Sequence, residues 1–373
     1  QTENPVATNA DILSHLVDFV PNTQFLFFAP VSRSWKAAWG QRRARTSYLT
    51  VQTSLAQLQY SFGSGLPREE VDWCTLSARV CSAAASRGDL ALLKAAREMG
   101  CPWTEDTCTF AAKAGHLEVL RWCRAGGCRW DIGAFLTAAG SGNLAMLKWM
   151  KEEGCIFSSA MFCSYAAEGG HLHVLEWLRG NGCPWDVHTC SSAARGGHLT
   201  VLQWARTRGC SWNASTCCSA AEGGHLAVLR WCKLNGCPWD ESTCAVAARG
   251  GHLELLKWCR LNGCPWSELT CANAAAGGHL ELLKFCRDGG CPRHNNAWLR
   301  AAVGGHLDVV KYSHQNFGSL HRHTCAVAAQ IGHMEMLQYA HQNGCRWNAR
   351  TISLAVQKGH LHVVKYAREN GCE

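Results

Sequence analysis

The chain has 373 residues, 47% of them apolar and 17% charged, with a formal net charge of +8. That balance excludes a disordered chain and leaves ample apolar material for a core. No stretch resembles a signal peptide or is long enough to cross a bilayer, so no membrane association is expected. Residue 1 is Gln, so the chain is expected to be trimmed or processed at that end.

Residues 1–45 carry three short apolar runs, Asp11–Val20, Gln24–Ala29 and Val31–Trp35 continuing to Trp39, broken at Pro21 and Pro30. They predict three short helices, a small domain or an end cap. Residues 46–80 are a transition: Ser54–Tyr60 has the spacing of a worn repeat helix, and Gly63–Pro67 is loop material. From Cys81 to the end one element recurs. Gly-His-Leu at His252 returns at His116, His171, His198, His225, His279, His306, His333 and His360, with Asp89 and Asn143 at the same place in two further copies. Successive copies lie 27 residues apart, with one step of 28 between Asn143 and His171. A period of that size marks a stack of supersecondary units, none able to bury its own apolar face.

Within a unit, the residue after the loop tryptophan column reads Thr104, Asp131, Ser158, Asp186, Asn213, Asp240, Ser267, His294, His321, Asn348; eight of the ten are helix N-cap formers. A first helix (helix A) of about ten residues follows, rich in Ala and ended by a pair such as Gly250-Gly251 that can turn left-handed. Helix B opens at the His column and places Leu253, Leu256 and Cys259 on one face, with Asn262-Gly263 closing it. Both helices are too short to persist alone in water, so neighbouring copies must hold them. The fold predicted is all-α: a helix-turn-helix solenoid of about eleven repeats behind a small helical N-terminal domain, divided as 1–45, 46–80 and 81–373.

The 24 cysteines fall in repeat columns. The loop column is once Gly318, the helix A column admits Phe135, Trp298 and Ile352, and the helix B column admits Met150, Leu178, Ala205 and Ala340. Positions that accept such residues are packing positions, and a reducing cytosolic or nuclear compartment is expected. Structural zinc wants four Cys or His ligands with close Cys-x-x-Cys pairs, and no such pair exists, so no metal or cofactor is expected. Asp89 and Asn143 standing in the His column point to a side chain hydrogen-bonding backbone at the start of helix B. Every copy offers the same Cys and His and none is specialised, so catalysis is not expected.

Ala247-Ala248-Arg249-Gly250-Gly251-His252-Leu253-Glu254-Leu255-Leu256-Lys257 resembles the second half of an ankyrin repeat, a likeness that covers about four-fifths of the chain. The departures are the shorter period, Ser242-Thr-Cys-Ala245 in place of a Thr-Pro-Leu-His opening, and a β-hairpin finger cut to Cys-Pro-Trp-Asp. The resemblance implies protein binding, with contacts moved from hairpin tips to the concave face of helix A. Residues 1–45 are similar to an F-box: Ile12, Leu13, Leu16, Phe19 and Val20 match its first helix and Val31-Ser-Arg-Ser-Trp35 its last segment, while Thr8-Asn9 stands where the family has Leu-Pro. That resemblance implies docking on a Skp1-type adaptor of a cullin ubiquitin ligase through Leu13, Leu16, Val31 and Trp35.

By the ankyrin resemblance, the column after the Ala pair faces the groove: Lys113, Gly140, Glu168, Arg195, Glu222, Arg249, Ala276, Val303, Gln330, Gln357. Glu241, in the first turn after the cap, joins it. Two basic columns on helix B offer a competing reading. Lys94, Arg121, Lys148, Arg230, Lys257, Lys284, Lys311 and Lys365 form one; Arg97, Arg124, Lys151, Arg179, Arg206, Lys233, Arg260, Arg287 and Arg368 form the other. Stacked, they would draw positive stripes able to attract nucleic acid; the plainer alternative is a solvated face part-neutralised by Glu118, Glu254, Glu281, Asp308 and Glu335. The function expected is non-catalytic capture of a protein by a monomer, as receptor of a ubiquitin ligase, with a plain scaffold and a nucleic-acid binder as alternatives.

Overall fold

The computed structural model describes residues 73–292, 297–317, 323–347 and 349–372. The F-box-like segment, with Leu13, Leu16, Val31 and Trp35, lies outside them, as do the expected caps His294, His321 and Asn348. Among the described residues there are 22 helices and no strand. They fall into two compact units that divide between Ile156 and Phe157.

The first unit contains the pairs Trp73–Arg87 with Leu90–Glu98, Glu105–Lys113 with Leu117–Ala125, and Ile132–Gly140 with Leu144–Glu152. The second runs from Met161–Glu168 and Leu172–Gly180 through six further pairs to Ala349–Gln357 and Leu361–Glu369. Inside each unit every helix A lies on the next helix A and on its own helix B. The architecture is that of an all-α helical-repeat solenoid.

The residue types explain the stacking. Ala111 and Ala112, Ala193 and Ala194, and Ala247 and Ala248 are wholly buried and let successive A helices approach closely. Thr107, Thr189, Thr216, Thr243, Thr270 and Thr324, one turn earlier, are buried beside them. Helix B supplies the bulk: Leu255, Leu256 and Cys259, and their counterparts Val228, Leu229 and Cys232, are all within 3% of full burial. Each such leucine is worth about 2 kcal/mol of burial, so a nine-residue helix that buries Leu255, Leu256 and Cys259 is held by its neighbours.

The helix ends follow their residues. Asp186, Asn213 and Asp240 accept from the backbone N–H groups of His188, Ser215 and Ser242 at 2.9, 3.0 and 2.9 Å. Ser158 does not cap. The cap falls on Ala160, and the helix starts at Met161, because the extra residue of the 28-residue step is absorbed there. The unit boundary lies in the same loop. Of the Gly pair, only the second is left-handed, Gly251 at φ +76 after Gly250 at φ −78. The first described helix, Trp73–Arg87, crosses the expected boundary at residue 81 and ends at the left-handed Gly88.

Candidate partner-binding face

Most of the histidine column does not cap its own helix as expected; His333, which accepts from Met336 N at 3.3 Å, is the exception. His116, His198, His225, His252 and His279 form no side-chain bond to the first turn of helix B. Asp89 and Asn143 do cap it, accepting from Leu92 N at 2.9 Å and Met146 N at 3.0 Å. The imidazole is longer, and its far nitrogen reaches the preceding repeat. Nε2 of His225, His252 and His279 donates to the carbonyls of Arg195, Glu222 and Arg249 at 2.9, 3.1 and 3.1 Å. His306 does the same to Ala276 at 3.0 Å, His360 to Gln330 at 3.2 Å and, in the first unit, His116 to Ser86 at 3.2 Å.

The clamped carbonyls belong to the column expected to face a partner. At Arg195, Glu222, Arg249, Ala276 and Gln330 the backbone is held from the next repeat, while the column's side chains stay outside: Lys113 in the first unit and Glu168, Arg195, Glu222, Arg249, Val303, Gln330 and Gln357 in the second are exposed. Arg195 and Glu222 meet across one junction, Nη2 to Oε2 at 3.2 Å, each about half-exposed (54% and 55%). Glu241 is exposed but does not join this row; it starts the helix that Arg249 ends, about 12 Å away along the axis. A column that sequence reasoning missed lies beside the row. The sixth residue of helix A leaves Phe110 41% and Tyr165 40% exposed and Val246 half-buried. Its signal was available, since it varies from copy to copy as freely as the ninth.

Five arginines of the second basic column are engaged, while Lys151, Lys233 and Arg368 stay exposed. Arg97, Arg124 and Arg260 donate through Nη1 to the carbonyls of Cys101, Cys128 and Cys264 at 2.6, 2.7 and 2.5 Å. Arg179 and Arg206 bind the Cys183 and Cys210 carbonyls in the same way. Each guanidinium lies over the next loop tryptophan, 4.1 Å for Arg97 over Trp103, 4.2 Å for Arg206 over Trp212 and 4.0 Å for Arg260 over Trp266. That tryptophan packs edge-on against the helix B ring, as Trp212 does on Trp231 at 5.6 Å. The column is a brace: a cation at a helix C-terminus, a carbonyl and an aromatic face act together. In the other column Lys257 and Lys284 pair with Glu254 and Glu281 at 2.7 Å, while Lys94, Arg121, Lys148, Arg230 and Lys365 are exposed.

The 23 described cysteines are free thiols, buried except for the half-buried Cys155 and Cys218. Burial pushes Cys81 up to about 12 and Cys101 and Cys155 up to about 11, so these thiols are protonated and inert at neutral pH. Two repeats gather three sulfurs each. Cys217 of helix A, Cys232 of helix B and Cys237 of the following loop have Sγ atoms all within 4.8 Å of one another, and Cys244, Cys259 and Cys264 repeat the arrangement. Hydrogen bonds from Cys217 and Cys232 draw Cys237 below the usual thiol range, and those from Cys244 and Cys259 do so for Cys264.

No model of a protein family matches the chain, and no curated protein does. Among solved structures it is similar to the pentatricopeptide repeat protein PPR10 in complex with an 18-nt psaJ RNA element, at 15% identity and TM-score 0.38 over 99% of this chain and 62% of that one. PPR10 from maize gives 17% and 0.36 over 99% and 66%. The human ASB11 ankyrin repeat domain gives 15% and 0.27 over 50% and 84%. The chain thus spans less than two thirds of the PPR10 chains it matches. No helix among the described residues is long and apolar enough to cross a membrane.

Proposed function

We propose that this chain is a non-catalytic binding protein that captures a protein partner on the exposed face of its A helices. One observation carries the reading: the positions that hardly change between copies (Ala pair, Leu, His, Trp) lie between repeats, while the exposed ninth column changes sign and character from Glu168 to Arg195, Glu222, Arg249 and Gln330. A row of alternating charge with the apolar Phe110 or Tyr165 column beside it suits a mixed protein surface. Nucleic acid calls for cations free to meet phosphates, and here five arginines of the second basic column are engaged on tryptophans and carbonyls. The ankyrin resemblance points the same way.

The F-box resemblance extends the proposal: residues 1–45 dock on a Skp1-type adaptor and the repeats present their captured protein for ubiquitination. The test is affinity capture on the full chain, with Arg195→Glu/Arg249→Glu and a 46–373 truncation in parallel. Capture should weaken at least tenfold in the charge variant, and the adaptor should be lost from the truncation alone. Capture indifferent to the charge variant, or retention of single-stranded nucleic acid that collapses steeply with salt, would overturn the protein-binding reading.

A further inference from the structure

The trios Cys217/Cys232/Cys237 and Cys244/Cys259/Cys264 have a chemistry that packing does not require. Other copies fill the helix B place with Ala205 or Ala340, both wholly buried, so the stack closes without a third thiol. Where the third is present, three soft donors arrive from three different elements at one point, and none of the six residues is more than 2% exposed. Each group holds three sulfurs and no His, Asp or Glu.

We infer that each trio is a three-coordinate binding site for a thiophilic metalloid in the trivalent state, of which arsenic(III) is the representative. Coordination number and charge select this class. Zinc takes four ligands, and each trio supplies three. Trivalent arsenic keeps a lone pair, so its three-sulfur centre is a pyramid: bonds of about 2.3 Å at angles of about 100° place the sulfurs about 3.5 Å apart, a modest inward move for sulfurs that already lie within 4.8 Å of one another. A monovalent or divalent ion held by three thiolates would leave net negative charge in an apolar interior, which is costly. A trivalent centre leaves none.

The exchange balances without a redox partner. One arsenous acid meets three thiols; three As–O and three S–H bonds break, three As–S and three O–H bonds form, and three water molecules leave. No electron changes hands. Because the sulfurs are buried, the reagent enters through local opening of the repeat, so the rate should level off at high arsenite concentration.

The test uses the full reduced chain with arsenite alone as the probe. Native mass spectrometry should show that Cys232→Ala/Cys259→Ala binds two fewer arsenic atoms per chain, while its helical circular dichroism matches the parent because alanine already serves at 205 and 340. X-ray absorption at the arsenic edge of the parent should show three sulfur neighbours and no oxygen. Equal arsenic content in parent and variant, an oxygen or fewer than three sulfurs in the arsenic shell, or binding confined to urea-unfolded chain would each overturn the inference. The absorption measurement decides even if the variant fails to fold.

Discussion

The repeats between Val187 and Asp288 and those after Ala297 hold the same backbone with different side chains. In the former, the histidine ring lies over the second Gly of the preceding turn; a Cβ placed on Gly251 would sit 2.5 Å from the His279 ring. In the latter, His306 and His360 keep the clamp, but His333 turns back on its own helix, Nδ1 accepting from Met336 N at 3.3 Å, and a Cβ on Gly305 would meet nothing closer than 3.6 Å. On the other side of the stack Arg260 over Trp266 gives way to His341 stacked on Trp347 at 3.7 Å, with Tyr366 edge-on where the earlier copies have Trp. Both regions keep the positive-φ glycine, at +76 for Gly251 and +79 for Gly305, and the buried Ala pair. The turn and the small residues therefore specify the stack, and clamp and brace are interchangeable ways of tightening it.

The largest expected effect separates those contributions directly. Gly251→Ala combines left-handed strain of about 1–2 kcal/mol with displacement of His279 from the Arg249 carbonyl, about 1 kcal/mol more, for a total of about 2–3 kcal/mol. Gly305→Ala meets the strain alone, about 1–2 kcal/mol. Urea midpoints of the two variants measure the difference; equal shifts would show that the His279 ring contributes nothing.

The clamp itself should be worth less. His252→Ala removes the bond to Glu222 and should cost about 1 kcal/mol. His252→Asn should recover part of that, because Asn caps its own helix as Asn143 does. His333→Asn should be close to neutral, since His333 already caps. Amide exchange at the Glu222–Gly224 turn, faster in His252→Asn than in the parent despite the new cap, would isolate the cross-repeat bond.

The brace comes next. Arg260→Ala loses a cation over Trp266 and a donor to the Cys264 carbonyl, about 1 kcal/mol together. His341→Ala loses a stacked ring without the carbonyl bond and should cost about half as much. Thermal midpoints and tryptophan fluorescence report both. A larger loss at His341 would mean that the later repeats rely on their substitute more heavily than the earlier ones rely on arginine.

These comparisons also mark what could be read from residues alone. The period, the two helices per unit and most caps were legible, because Asp186, Asn213, Asp240 and Gly251 act through their own backbone. The histidine was misread as a cap because its partner lies 30 residues away, in a turn that only stacking brings beneath the ring. The arginine column looked like a solvated stripe because the loop tryptophan six residues on, as Trp266 after Arg260, folds back over it. The cysteines were weighed column by column; the spacing Cys217-x14-Cys232-x4-Cys237, which recurs from Cys108, Cys244 and Cys271, was the visible sign that three columns converge, and in the Cys217 and Cys244 copies the sulfurs lie within 4.8 Å of one another.

The smallest effect on stability is expected where the effect on function should be largest. Arg195 and Glu222 pair at 3.2 Å with both side chains about half in solvent, and such pairs contribute about 0.5 kcal/mol or less. Arg195→Ala should therefore leave the urea midpoint almost unmoved. Its backbone remains clamped by His225, so the loss is confined to the side chain. If the ninth column contacts a partner, removing one anchoring arginine should weaken capture by about tenfold, the scale of a single interface hot spot. Gln330→Ala, in the later repeats and uncharged, should weaken it less. A destabilised Arg195→Ala with intact capture would invert the assignment, making the row structural and moving the partner surface within the second unit to the Tyr165 column.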